Sequence, residues 1–264
     1  MTGFSPDWLA LREPFDRGAR SARLAELFAS RLPPTPRIVD LGGGTGANIR
    51  ALAALMPAGT RWRMVDDDPE VIAVARASLA EYRVEFDRRD LAADLEGAIG
   101  DAQAITASAL ADLVSRTWID RLFAAAAERA APLLIVLTVD GWHEFSPAHP
   151  DDDLVLNAFA QDQRRDKGFG PALGGNAAEY LAAAARHVGF AVEGEASDWQ
   201  IPSDATPMLH ALIEGIAGAS SSARPALARR IHAWRDARAA SIAAKRLTFA
   251  VGHRDVCAYP ERRA

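Results

Sequence analysis

The sequence predicts an α/β fold in which a mainly parallel sheet is doubly wound by helices. Three observations carry that expectation. From residue 37 onward, short β-branched or apolar runs alternate with stretches of helical period, the pattern of successive βαβ units. Residues 133–139, LLIVLTV, are apolar almost throughout, as a central strand covered on both faces must be. Near the C-terminus, Leu247, Phe249 and Val251 alternate with small or polar neighbours, which is the period of a strand or hairpin.

The elements follow in order. Residues 1–36 read as two amphipathic helical pieces, with Ala22, Leu24, Leu27 and Phe28 on one face and Pro33, Pro34 and Pro36 closing the segment. This segment is expected to act as a helical lid on a domain spanning 37–264. Strand one is expected over 37–41, with a helix at 47–56 that Pro57 stops. Strand two is 61–66, followed by a helix that Pro69 opens and that runs through Leu79. Strand three falls near 82–87 and strand four near 103–108. A helix carrying Trp118, Ile119, Leu122 and Phe123 then leads to strand five at 133–139. Residues 140–177 are polar and rich in Gly, Pro and Asp, and read as a long active-site insertion. A helix at 178–187 leads to a strand near 190–196. A second insertion at 202–246 reads as two or three helices, and the last strand or hairpin spans 247–259.

Composition limits the function. The 264 residues suffice for one large domain, or for one domain with an insertion. A net charge of −5 argues against broad nucleic-acid binding, which requires a basic face. The single cysteine, Cys257, excludes an intrachain disulfide framework and a Cys-rich zinc site. The first residues, MTGFSPDWLALREPFD, lack the basic-then-apolar pattern of a signal peptide. No apolar run approaches the ~18 residues of a membrane span. A soluble, cytoplasmic protein is expected, acting as a monomer or homodimer without membrane or nucleic-acid partners.

The most informative segment is Arg37 to Gly46, RIVDLGGGTG: a buried strand breaking into glycine before a helix. Such a turn lets a ligand approach bare backbone amides. Gly42, Gly44 and Ala47 satisfy the dinucleotide fingerprint G-x-G-x-x-G/A. Asp40, however, places a carboxylate at the strand's mouth, where it repels a pyrophosphate and attracts a cationic cofactor. The spacing D-x-G-x-G-x-G resembles the first motif of the class I S-adenosylmethionine (SAM) methyltransferases. That resemblance implies a seven-stranded sheet with an antiparallel last strand and SAM as cofactor. Asp40, Gly42, Gly43, Gly44 and Gly46 would then form the glycine wall. Asp66, about 20 residues beyond the turn, lies where a carboxylate reaches a ribose diol. Asp67 beside it keeps the exact ligand open, whereas Asp68 is expected to cap the next helix. The resemblance further assigns Asp90 and Leu91 to the adenine, and Ala107 and Ser108, within ITASALADLV, to the cofactor's flank. A dinucleotide-dependent oxidoreductase and a non-catalytic SAM- or nucleotide-binding module are the competing readings.

Acceptor residues are expected beyond strands four and five, in the insertions and in the lid. His143 is the candidate general base, because an unperturbed imidazole titrates near neutrality. Trp142 beside it could stack on a planar acceptor. Arg165 and Lys167, in QRRDKGFGPALGG, precede a glycine-rich bend and could clamp an anionic group, as could Arg12 from the lid. His143, Glu144, His149 and Asp151–Asp153 lack metal-ligand spacing, so no metal is expected. The arginines and lysine between 224 and 246 read as a solvated helix face. A small-molecule acceptor carrying an anionic group is the expected substrate.

Overall fold

A computed structural model describes residues 4–261. Its strands are β1 (Arg37–Leu41), β2 (Arg61–Asp66), β3 (Val84–Arg88), β4 (Ala104–Ser108), β5 (Leu133–Ser146), β6 (Phe190–Ala196), β7 (Trp199–Ile201) and β8 (Thr248–Pro260). They form one sheet in the order β3-β2-β1-β4-β5-β8-β6, with β7 paired to β8. Strands β1 to β5 run parallel, and β8 runs antiparallel to β5, β6 and β7. The seven-strand path matches expectation, and β7 adds an eighth. Chain direction around the sheet reverses between β1 and β4, which is where open α/β sheets hold ligands outside their carboxyl ends.

The helices are α1 (Pro6–Ala19), α2 (Ala22–Ala29), α3 (Ala47–Leu52), α4 (Pro69–Ser78), α5 (Leu95–Ile99), α6 (Arg116–Glu128), α7 (Asp152–Gln163), α8 (Ala177–His187), α9 (Thr206–Ala223) and α10 (Ala228–Ala243). Three apolar clusters hold them. On one sheet face α5, α6 and α8 bury Leu95, Ile119, Phe123 and Leu181 against β1, β4 and β5. On the other face α2, α3 and α4 bury Leu24, Phe28, Ile49 and Ile72 against β1 and β2. Phe28 alone, fully buried, contributes roughly 1.5–3 kcal/mol. The third cluster sits beyond the sheet's carboxyl end, where α7, α9 and α10 pack on the far halves of β5 and β8. Of the two N-terminal helices, α2 therefore belongs to the sheet's own core, while Leu9 of α1 lies against Gly44.

The main departure from expectation is β5. Residues 140–146, read as the start of an insertion, continue the strand and pair with β8 as far as Ser146. Register shifts between Ile135 and Thr138 and between Val139 and His143 bend this ribbon, with Leu137 at φ 56° and Gly141 at φ 87°. Leu137 donates its N–H to Asp255 Oδ1 at 2.7 Å, so the bulge is tied to β8 by a side chain. The second insertion is helical as expected, but Arg238 is no surface residue. It is 2 % exposed, pairs with Asp152, donates to the Pro147 carbonyl at 2.7 Å and lies 4.7 Å over the Phe145 ring. Asp152 also accepts from Trp234 Nε1 and from the His149 N–H, each within 2.8 Å. Asp152 and Asp151, the latter paired to Arg230, thus brace the insertion, while Asp153 is exposed.

Candidate active site

The glycine turn closes on β2. The N–H groups of Gly42 and Gly43 both donate to the Val65 carbonyl, at 2.9 and 3.1 Å. A Cβ on Gly43 would lie 2.3 Å from Met64 Cγ, and Met64 is fully buried, so the turn has no room for a side chain there. Gly44, at φ 53°, faces Leu9 of α1 in the same way. Contrary to expectation, Asp40 is not at an open mouth but fully buried beneath the turn. Its Oδ1 accepts from Asn48 Nδ2 and, at 2.8 Å, from Thr106 Oγ1, while Oδ2 has no partner. Burial pushes its pKa up to about 6, against the pull of those two hydrogen bonds.

Asp66 ends β2 with its carboxylate directed at the turn: Oδ2 accepts from the Gly44 N–H at 2.9 Å and Oδ1 from the Asp68 N–H at 3.1 Å. Burial raises its pKa, and the two N–H bonds oppose that rise. Asp67 is exposed, and Asp68 caps α4 through the Glu70 N–H, as its position suggested. Asp90 is exposed and accepts from the Ala92 N–H at 2.8 Å. Among the described residues, Arg89 pairs with Asp87 and Asp94, and Arg88 donates to the Asp67 carbonyl, so neither neutralises Asp90. Leu91 and Ala107 are buried, and the Ser108 hydroxyl accepts from Arg20 at 3.0 Å. The parallel registers Leu41↔Val65 and Leu41↔Ala107 set these strand ends side by side.

On the acceptor side, His143 lies on the extended β5. Its ring stacks on Phe249 at 6.0 Å and meets the edge of Phe159. Nδ1 is 3.2 Å from the Gly141 carbonyl, and burial lowers the ring's pKa below 6.5. A neutral ring that donates from Nδ1 leaves Nε2 with its lone pair. His253, on β8, repeats the arrangement with the Val251 carbonyl at 3.0 Å, and burial drives its pKa down to about 3. Arg12 is buried, forks onto Asp16 at 2.9 and 3.1 Å, and lies 4.8 Å over the Trp199 ring. Lys167 sits 3.7 Å from Asp162. Both cations act on buried Asp112, just beyond β4, whose pKa burial nevertheless pushes up to about 6. Asp112 Oδ1 has no partner, and neither has Thr138 Oγ1 on β5.

The structure does not bring Trp142 and Arg165 to this place. Trp142 is 45 % exposed, because the continued strand turns alternate residues outward, and Arg165 is exposed on Asp162. Sequence reasoning missed Arg20, Asp112 and His253. Asp112 stood inside the ITASALADLV run already singled out. Arg20 carried no local signal, since its partners Asn48 and Ser108 lie far away in the chain, and His253 has no pattern around it that sets it apart from its strand neighbours.

Residues 38–132 match a family profile described as a methyltransferase domain. That stretch is a methyltransferase domain. The glycine turn, Asp66, Asp90 and Ser108 all fall inside the matched stretch, and this decides against the dinucleotide reading of Gly42 to Ala47. The methyltransferase's fold recurs in solved structures. A cyclopropane-fatty-acyl-phospholipid synthase-like protein from Lactobacillus casei superposes with a TM-score of 0.53 at 16% identity, over 96% of this chain and 94% of that one. Cyclopropane synthase MmaA2 from Mycobacterium tuberculosis gives 0.51 at 12% identity, over 96% and 94%. Mycolic acid cyclopropane synthase CmaA1, solved with S-adenosylhomocysteine, gives 0.50 at 11% identity, over 97% and 99%. These likenesses concern the fold. No functionally curated protein matches the sequence. Among the described residues, no helix is long and apolar enough to cross a membrane and no group of three potential metal ligands occurs.

Proposed function

We propose that this methyltransferase alkylates an oxygen or nitrogen nucleophile on a small polar acceptor that carries an anionic group. The observation that carries this reading is the neutral His143, held through Nδ1 on a strand continuous with the cofactor sheet, with Nε2 left to take a proton. Bound SAM supplies an electrophilic methyl group on a sulfonium. Asp66 would receive the ribose hydroxyls while keeping its hold on Gly44, and Asp90 and Leu91 would meet the adenine, with Asp67 as an outer neighbour. Gly42, Gly43, Gly44 and Gly46 would line the cofactor's sulfonium side, Ala107 and Ser108 its flank. Asp40, with one unpartnered buried oxygen, suits a cation beneath the turn.

On the acceptor side, His143 would withdraw the proton as the nucleophile attacks in line, a role worth about 10²–10⁴-fold. Lys167, loosely paired, and Arg12 would orient the anionic group, with Asp112 and Thr138 offering unfilled acceptor positions nearby. Transfer from methyl-labelled SAM to metabolite fractions separated by charge tests the reading: label should appear in the small anionic fraction, and label in protein or RNA alone would refute it.

Two further results are expected. His143→Asn should lower kcat by at least about 100-fold without changing SAM affinity. In the parent enzyme, the loss of activity on acidification should be centred below the ordinary imidazole value of 6.5, because burial lowers the pKa of the base; a decline centred above 6.5 would remove His143 from the role. Lys167→Ala should raise the acceptor's KM and leave SAM binding unchanged by calorimetry.

A further inference from the structure

Cationic side chains collect at the end of the sheet away from the glycine turn. Arg37 and Arg61 open β1 and β2 and lie opposite each other in the parallel register. Arg83, just ahead of β3, continues the row, since its carbonyl accepts the Trp62 N–H at 2.8 Å. Side chains alternate between faces along a strand, so Arg63 falls on the same face as Arg61. These four arginines line one groove of about 430 Å³ across the amino ends of β1, β2 and β3.

The acids present do not balance them. Two carboxylates, Glu85 and Asp101, share the groove with the four guanidinium groups. Asp101 meets Arg37 at 3.0 Å and Arg63 at 3.2 Å, and Glu85 stands 3.9 Å from Arg63. Arg61 and Arg83 are exposed, and among the described residues their side chains have neither an ion pair nor a hydrogen bond. Like charges set directly opposite on adjacent strands destabilise a sheet, so the row works against the fold that carries it. In a chain of net charge −5, a local surplus of two positive charges is no general property of the surface.

The surplus suits an anion of defined shape. A guanidinium presents five N–H donors in a rigid fork that grips phosphoryl oxygens in pairs. Two unengaged forks on neighbouring strands, whose spacing is about 4.8 Å, match two linked phosphoryl groups. The groove's volume is that of a site for one small molecule, whereas the chain's overall negative charge opposes a long polyanion.

We propose that this groove binds a small molecule bearing two linked phosphoryl groups, held chiefly by Arg61 and Arg83 with Arg37 and Arg63 at its flank. It is a second site: β1 and β2 run from the groove to the glycine turn and to Asp66, which sets the two roughly 13 Å or more apart. Nothing in the proposal depends on the SAM reading, so either can fail alone.

Calorimetry with pyrophosphate, at ionic strength held constant with sodium chloride, tests it. The parent protein should bind one pyrophosphate saturably, more tightly than orthophosphate or sulfate, and with the same affinity whether or not S-adenosylhomocysteine is present. Arg61→Gln combined with Arg83→Gln should weaken pyrophosphate by at least about 10-fold, each single change falling between. Without the anion the double variant should keep the parental Tm or exceed it, because the row of like charges is thinned. Tighter binding of cytidine 5′-diphosphate than of pyrophosphate would identify the ligand as a diphosphate ester, and the reverse as the free anion. Equal binding of sulfate and pyrophosphate, unchanged affinity in the double variant, or displacement by S-adenosylhomocysteine would each overturn the proposal. Binding of single-stranded RNA with none of pyrophosphate would overturn it in favour of a nucleic-acid surface.

Discussion

Replacing Asp66 by alanine is expected to weaken SAM binding by roughly tenfold to somewhat over a hundredfold, measured by calorimetry. Hydrogen bonds to a charged group contribute about 1.5–3 kcal/mol, which sets that range. Asp66 is positioned to act twice. Its Oδ2 holds the Gly44 N–H and its Oδ1 the Asp68 N–H, so the carboxylate that would meet the ribose also fixes the turn beside it. Asp66→Asn, which keeps one acceptor oxygen but no charge, should fall between parent and alanine. Thermal denaturation with and without SAM gives a second readout, since a ligand raises stability only as far as it binds. An alanine variant with parental SAM affinity would end the ribose assignment.

The second large effect is on stability. Arg238→Ala should destabilise the protein by about 3–5 kcal/mol, because it strands Asp152 as an uncompensated, largely buried charge. For a chain of this size that corresponds to a drop in Tm of roughly 10 °C, read by circular dichroism at neutral pH. The damage should be non-additive. Arg238→Met combined with Asp152→Leu removes both charges and should be more stable than either single change. A double variant that loses the sum of the two single effects would show that the pair is not what holds α7 and α10 together.

The cofactor half was legible because its signals are local. In RIVDLGGGTG the strand, the turn and the helix start lie within a few positions, and β1 and α3 form where the pattern changes. The acids that end β2 and follow β3 sit at fixed intervals beyond it. The other half depends on pairings between distant segments. Asp140, Trp142, His143 and Glu144 read as loop because polar residues break the apolar run, yet β8 supplies the hydrogen bonds that keep them extended. Three-residue β7 is too short to show a period, and its place is set by Val251 and Phe249 across the ladder. Arg238 resembled a surface cation at helical spacing, but the insertion's own core, with Phe145 and Asp152, closes over it. Asp40 was placed correctly on its strand but at the wrong depth, since no pattern within β1 indicates that Asn48 and Thr106 seal it in.

Asp255 gives the two halves a common fastening. It is fully buried on β8 and accepts the Ser21 N–H at the joint of the first helices, at 2.8 Å, and the Leu137 N–H at the bulge of β5, at 2.7 Å. Lifting that joint would leave a buried negative charge one donor short, with no solvent at hand to replace it. The joint and the bulged ribbon are consequently two arms of a single clasp, and neither is released without loading the other.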